Sequence, residues 1–107
     1  MVRYNLQMSR KAYVMKVKVR IFPGAGAAYH FAYLGERESA AIKKTQEGKV
    51  RRGWGSVPVR ATIGKTSWDT SVFPDKGGPY LLLLNARVRK AEGVFEGDAV
   101  RLTIRLR

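Results

Sequence analysis

Along most of this chain apolar and polar residues alternate with the period of two that a half-buried strand requires. The clearest run begins at Val14: Met15, Val17, Val19 and Ile21 fall on one side, and Lys16, Lys18 and Arg20 on the other. Tyr29, Phe31 and Tyr33 then alternate with Ala28, His30 and Ala32 and make a second strand. Between the two lies "PGAGA", 23–27, with the glycine pair of a dinucleotide-binding turn. It lacks the third glycine and the long helix of such a turn, so it reads as a hairpin loop.

Residues 57–72, "VPVRATIGKTSWDTSV", read as a further hairpin around the two-residue loop Gly64-Lys65. Counting outward from that loop opposes Ile63 with Thr66, Ala61 with Trp68, Arg60 with Asp69, Val59 with Thr70 and Val57 with Val72. One face is then apolar apart from Thr70, with a small residue opposite the Trp68 indole. The other face sets Arg60 across from Asp69, an opposite-charge pair of the kind that stabilises a sheet by ~0.2–1 kcal/mol. After the break "FPDKGGPY", the run "YLLLLNARV" is apolar on both faces and reads as a central, doubly covered strand. "RKAEG" gives a short turn or a single helical turn, and in the last strand Val100, Leu102, Ile104 and Leu106 point inward while Arg101, Thr103, Arg105 and Arg107 point outward.

One segment departs from the strand pattern. "ERESAAIKKTQEG", 36–48, has acids in its first turn, lysines in its last and Gly48 at the position of a C-terminal cap, which predicts a short helix. Its apolar face is thin, so it should lie on the surface and cover one side or end of a sheet. Many short strands at regular spacing with turn signals between them indicate an all-β barrel or sandwich.

At 107 residues the chain makes one domain with a single modest core. Residues 1–11 show no periodicity and read as a flexible basic arm, or as an upstream extension of a chain that begins at Met8, ahead of one domain over 12–107. The absence of cysteine excludes disulfides, thiolate metal sites and cysteine nucleophiles, and it suits a reducing, cytoplasmic location. Arg10, Lys11, Lys16 and Lys18 interrupt the N-terminal region before any signal-peptide core forms, and no run is long enough to span a membrane, so no membrane insertion is expected.

Charge changes the picture most. The formal net charge is +13, a balance that favours attraction to nucleic acid, anionic membranes or acidic proteins. Its distribution is uneven: residues 1–22 carry six cations and no acid. The positive field should therefore be strongest beside the first strand.

The combined stretches "RRGWGSVPVRATIG", "SWDTSVFPDKGGPYLLLL" and "VRKAEGVFEGDAVRLTI" resemble the bacterial domain-of-unknown-function family 1905, from the strand near Lys16 through the last strand. That resemblance implies a small β-barrel of the double-split type, closed or partly open, with one or two short helices. Such domains are found alone or fused to a bacteriocin-protection-like domain, and no agreed activity comes with them. "EGVFEGDAVRLTI" is also similar to the turn and strand of the transition-state-regulator class of swapped-hairpin DNA-binding proteins, which implies a related topology and does not transfer function.

Candidate chemistry falls into three classes. For an enzyme the signals are poor. His30, the single histidine, sits in an apolar alternation as a core or edge residue does, and Asp69, Asp75 and Asp98 have no paired-carboxylate or metal-ligand spacing. Asp98 follows Gly97 and is expected to bond turn amides. Thr66, Ser67, Thr70 and Ser71 have no base placed to activate them. No catalytic residue, cofactor or metal is therefore assigned, and the chain reads as a non-enzymatic binding module.

For an anion-binding surface the candidates are Lys16, Lys18 and Arg20 with Arg101, Arg105 and Arg107, because the first and last strands of a barrel often become neighbours. Like charges then face each other, and a nucleic acid, another polyanion or an acidic protein would relieve the repulsion. Ordinary solvation of an outward face accounts for the same alternation. Arg51 and Arg52 in "RRGWGS" are further candidates for phosphate contacts, while the glycines there form a lead-in to Val57 and make Trp54 a packing or rim residue more than a stacking platform. For a small-molecule pocket at a barrel mouth the candidates are Arg60, Trp68, Thr70, Lys76 and Tyr80, against a reading in which Trp68 and Tyr80 are core and Lys76 belongs to a solvated turn. The oligomeric state stays open, since a split barrel closes within one chain or exchanges hairpins between two.

Overall fold

The computed structural model describes residues 11–24, 27–49 and 55–107. The expected N-terminal arm, apart from Lys11, and the candidates Arg51, Arg52 and Trp54 lie outside the described residues. Seven strands and two helices follow in the order β1 (Ala12–Lys18), β2 (Arg20–Gly24), β3 (Ala27–Tyr33), α1 (Glu36–Thr45), β4 (Val57–Ile63), β5 (Thr66–Pro74), β6 (Tyr80–Leu83), α2 (Ala86–Glu92) and β7 (Ala99–Leu106). The strands form one antiparallel sheet in the order β1-β7-β4-β5-β6-β3-β2.

The two edges of this sheet are one bent strand. β1 pairs with β7 and β2 pairs with β3, yet β1 and β2 are separated by Val19 alone. The Val19 N–H donates to the Asp98 carbonyl at 2.9 Å, and the Gly97 N–H donates to the Val19 carbonyl at 2.8 Å. The sheet therefore curls until its edges meet at Val19, which gives a seven-stranded half-barrel with two short helices, in keeping with the all-β barrel, closed or partly open, that the sequence leads one to expect.

The concave side is the core. Val19, Val59, Ala61, Val72, Leu82, Leu102 and Ile104 are fully buried there. The β4–β5 hairpin has the register counted from Gly64-Lys65, including Ala61 opposite Trp68 and Arg60 opposite Asp69. Gly64 adopts φ 58°, the left-handed conformation that a glycine in this turn supplies without steric cost. Helix α1 buries Ile42 and Ser39, and the Ser39 hydroxyl accepts from the Tyr80 N–H at 3.0 Å, fixing the helix across the start of β6. It ends at Thr45, three residues before Gly48.

Two expectations are corrected. "YLLLLNARV" does not continue as a strand: β6 stops at Leu83, and Asn85 caps a seven-residue helix, accepting from the Val88 N–H at 2.9 Å. Asn competes with strand pairing by satisfying an orphan amide of the next helix. The "RKAEG" turn is the end of that helix, closed by Gly93 at φ 63°. β6 is central in the sheet order but covered on its inner side: Tyr80 and Leu82 are buried while Leu83 is 42% exposed. A run of leucines hides alternation that the surrounding elements impose.

Candidate functional site

Pairing of β1 with β7 places Lys16 directly across from Arg101 on the outer face. Lys18 stands on the same face opposite Ala99, and Arg105 lies between Ala12 of β1 and Arg60 of β4. The alternation forces this arrangement, because Tyr13, Met15 and Val17 on β1 and Leu102 and Ile104 on β7 are buried on the other side. Among the described residues, the ion pairs are those of Asp69 with Arg60 at 2.8 Å and with Arg107 at 3.6 Å. Lys16, Lys18, Arg101 and Arg105 are therefore exposed cations that no described carboxylate reaches.

Asp69 divides the basic surface. It accepts from Arg60, as the hairpin register requires, and Arg107 also donates to the Thr70 carbonyl at 3.2 Å. Arg107 is thus partly neutralised while Arg101 and Arg105 are not. Arg20 lies beyond the Val19 break, on β2 opposite Phe31, with its guanidinium 5.9 Å from the centroid of the Tyr33 ring. Tyr33 donates its phenolic proton to Asp75 at 2.8 Å. That hydrogen bond foremost, then burial and the Asp75 charge, holds the Tyr33 phenol above its ordinary range, against the lowering effect of Arg20.

The pocket candidates separate. Trp68 and Tyr80 are buried in the core, 7% and 6% exposed, and Thr70 shares the inner face opposite Val59. Arg60 lies on the outer face, and Lys76 is exposed in the turn after β5. Tyr80 alone of the five borders a cleft of about 570 Å³ between the C-terminal end of α1 and the start of β4, where Lys43, Lys49, Asp75 and Arg107 also converge. Asp98 accepts from the Phe95 N–H at 2.8 Å and so bonds a turn amide, as its sequence context indicates. His30 is half-buried on the inner side opposite Ile21, with a buried Nδ1 that has no hydrogen-bond partner among the described residues. No cluster of three or more metal-ligating side chains occurs among the described residues. No helix among them is long and apolar enough to cross a membrane.

An outward aromatic face on β2 and β3 is the feature that alternation alone leaves ambiguous. Ala32 is fully buried opposite Leu82, so Phe31 and Tyr33 face outward, and their rings meet edge to face at 5.3 Å. The signal for it in the sequence is the presence of alanines at 28 and 32, residues small enough for the concave side of a curled sheet.

The model of a family described as Domain of unknown function (DUF1905) matches residues 11–104. A search of curated proteins finds no match to the chain.

Proposed function

The chain belongs to that family, a domain of unknown function, and from this premise we propose that it is a non-enzymatic binding module holding a polyanion, nucleic acid foremost, on the outer face of β1 and β7. The observation that carries the reading is Lys16 opposite Arg101, with Lys18 and Arg105 beside them and no described carboxylate in reach. Like charges directly across a sheet are destabilising, and an anion bound between them removes that repulsion and releases condensed counterions from a nucleic acid. The contacts are to phosphate, so the binding is weak and independent of sequence.

The experiment is fluorescence anisotropy with a labelled duplex at two salt concentrations. Affinity is expected to fall steeply with salt, and the double variant Lys16→Gln, Arg101→Gln is expected to flatten the log–log salt slope by about 2. Absence of binding at low salt, or a variant that binds as the parent does, overturns the reading.

A second reading, a small-molecule site, has the cleft beside Tyr80 in its favour, since a concave space of this size with a few convergent polar groups is typical of ligand pockets. A thermal-shift screen tests it: a hit whose shift is lost in Lys43→Ala supports the cleft, and a screen without hits removes it.

A further inference from the structure

Resting on the polyanion reading, we infer that the outer face of β2, β3 and β6 is a stacking platform for the bases of a single-stranded nucleic acid. The pairing sets Phe22 directly across from Tyr29 and Arg20 directly across from Phe31, and on the other side of β3 Phe31 faces Leu83. All lie on the side opposite the buried Ala32 and Leu82. Phe22 is 60% and Tyr29 53% exposed, far more than a ring retained for packing requires. Both belong to regular strands, so their positions follow from the ladder.

Charge selects the occupant. The sequence contains no acid before Glu36, so β1, β2 and β3 present rings and cations without a carboxylate of their own. Arg20 stands among the rings, and the same bent strand continues upstream into Lys18 and Lys16, which gives the phosphate backbone a basic track leading off the aromatic face. Bases stack on ring faces irrespective of sequence while Arg and Lys hold the phosphates. A second copy of this chain fits worse, because a symmetric apolar contact buries Arg20 against its own equivalent, like charge against like charge, while Asp75 from the turn after β5 is already engaged by the Tyr33 hydroxyl. A duplex fits worse as well, since its bases are already stacked on one another and leave no face for a ring.

Anisotropy with a labelled oligothymidylate and with a duplex of equal length, measured in the same low-salt buffer, tests the inference. The parent is expected to bind the single strand more tightly than the duplex. Phe22→Ala and Tyr29→Ala are each expected to weaken single-strand binding about fivefold or more and to leave duplex binding unchanged. Phe22→Leu keeps apolar area without a ring and is expected to weaken binding as Phe22→Ala does, whereas Tyr29→Phe keeps the ring and is expected to bind as the parent does. Circular dichroism of each variant checks that the barrel is intact. Ring removal that leaves single-strand binding unchanged, while Lys16→Gln, Arg101→Gln still weakens the duplex, overturns the platform and spares the basic face; failure to bind either probe at low salt removes both. Ring-dependent self-association in sedimentation, or ring-dependent capture by anionic vesicles with no preference for the single strand, also overturns it.

Discussion

Tyr33 shows how one side chain ties three parts of the barrel together. Its ring meets Phe31 and the Arg20 guanidinium, and its hydroxyl donates to Asp75 in the turn after β5. The phenol must stay protonated to donate, so its folded-state value lies above the ordinary 10.0. A raised folded value means that the contribution to stability is complete below the ordinary tyrosine range and is lost as pH rises through the folded value. Titration of phenolate absorbance is therefore expected to show a late transition that disappears in Tyr33→Phe and moves back toward 10 in Asp75→Asn. A Tyr33 transition that Asp75→Asn leaves unchanged contradicts this account. Residue-scale reading of the sequence succeeds where chemistry is local: Asp98, one residue after Gly97, bonds the Phe95 amide as its turn context dictates. It cannot reach Tyr33 and Asp75, 42 positions apart, whose meeting depends on the way the sheet curls.

At the scale of elements, legibility depends on whether alternation is visible. In the β4–β5 hairpin a glycine fixes the loop and every other residue of β4 is apolar, matched by Trp68 and Val72 of β5, so the register follows from counting, down to Arg60 beside Asp69. In "YLLLLN" no polar residue marks a face, and the uncovered outer side of β6 emerges only from its pairing with β3, where Ala32 and Leu82 turn inward together. The same packing decides the candidate site. Lys16 and Arg101 are legible as outward cations, whereas the outward rings of Phe31 and Tyr33 run against hydrophobicity and reflect the narrow concave side, which accepts Ala32 and Ala61 at zero exposure. Helix α2 was readable from Asn85, a strong N-cap residue, but a cap signal directly after four leucines is masked by the strand. Since the Asn85 side-chain Oδ1 accepts from the Val88 N–H, Asn85→Ala is expected to cost about 1 kcal/mol in urea unfolding, with Asn85→Asp close to the parent. Loss of less than a few tenths of a kcal/mol in the alanine variant argues that α2 is held by Val88 packing alone.

For the molecule as a whole, the proposed polyanion binding makes the charge of +13 act on folding and on binding in opposite directions. Compaction brings like charges together, and the curled sheet aligns Lys16 with Arg101 across one ladder and Arg105 with Arg60 across the next. Salt screens this repulsion, with the screening length falling from about 30 Å at 0.01 M to about 8 Å at 0.15 M. The unfolding midpoint is therefore expected to rise over that range, while polyanion affinity falls over the same range because counterion release drives it. A single substitution separates the two effects. Lys16→Glu turns a like-charge pair into an opposite-charge pair, so it is expected to stabilise the fold by about 1 kcal/mol at low salt and to weaken duplex binding. A basic surface that is merely solvated predicts the stability gain without the loss of binding, and a fold indifferent to its own charge predicts neither. Urea melts and anisotropy on the same preparation, at the two salt concentrations, distinguish the three, because stability and affinity must move in opposite directions if the repulsion held between β1 and β7 is what a bound polyanion relieves.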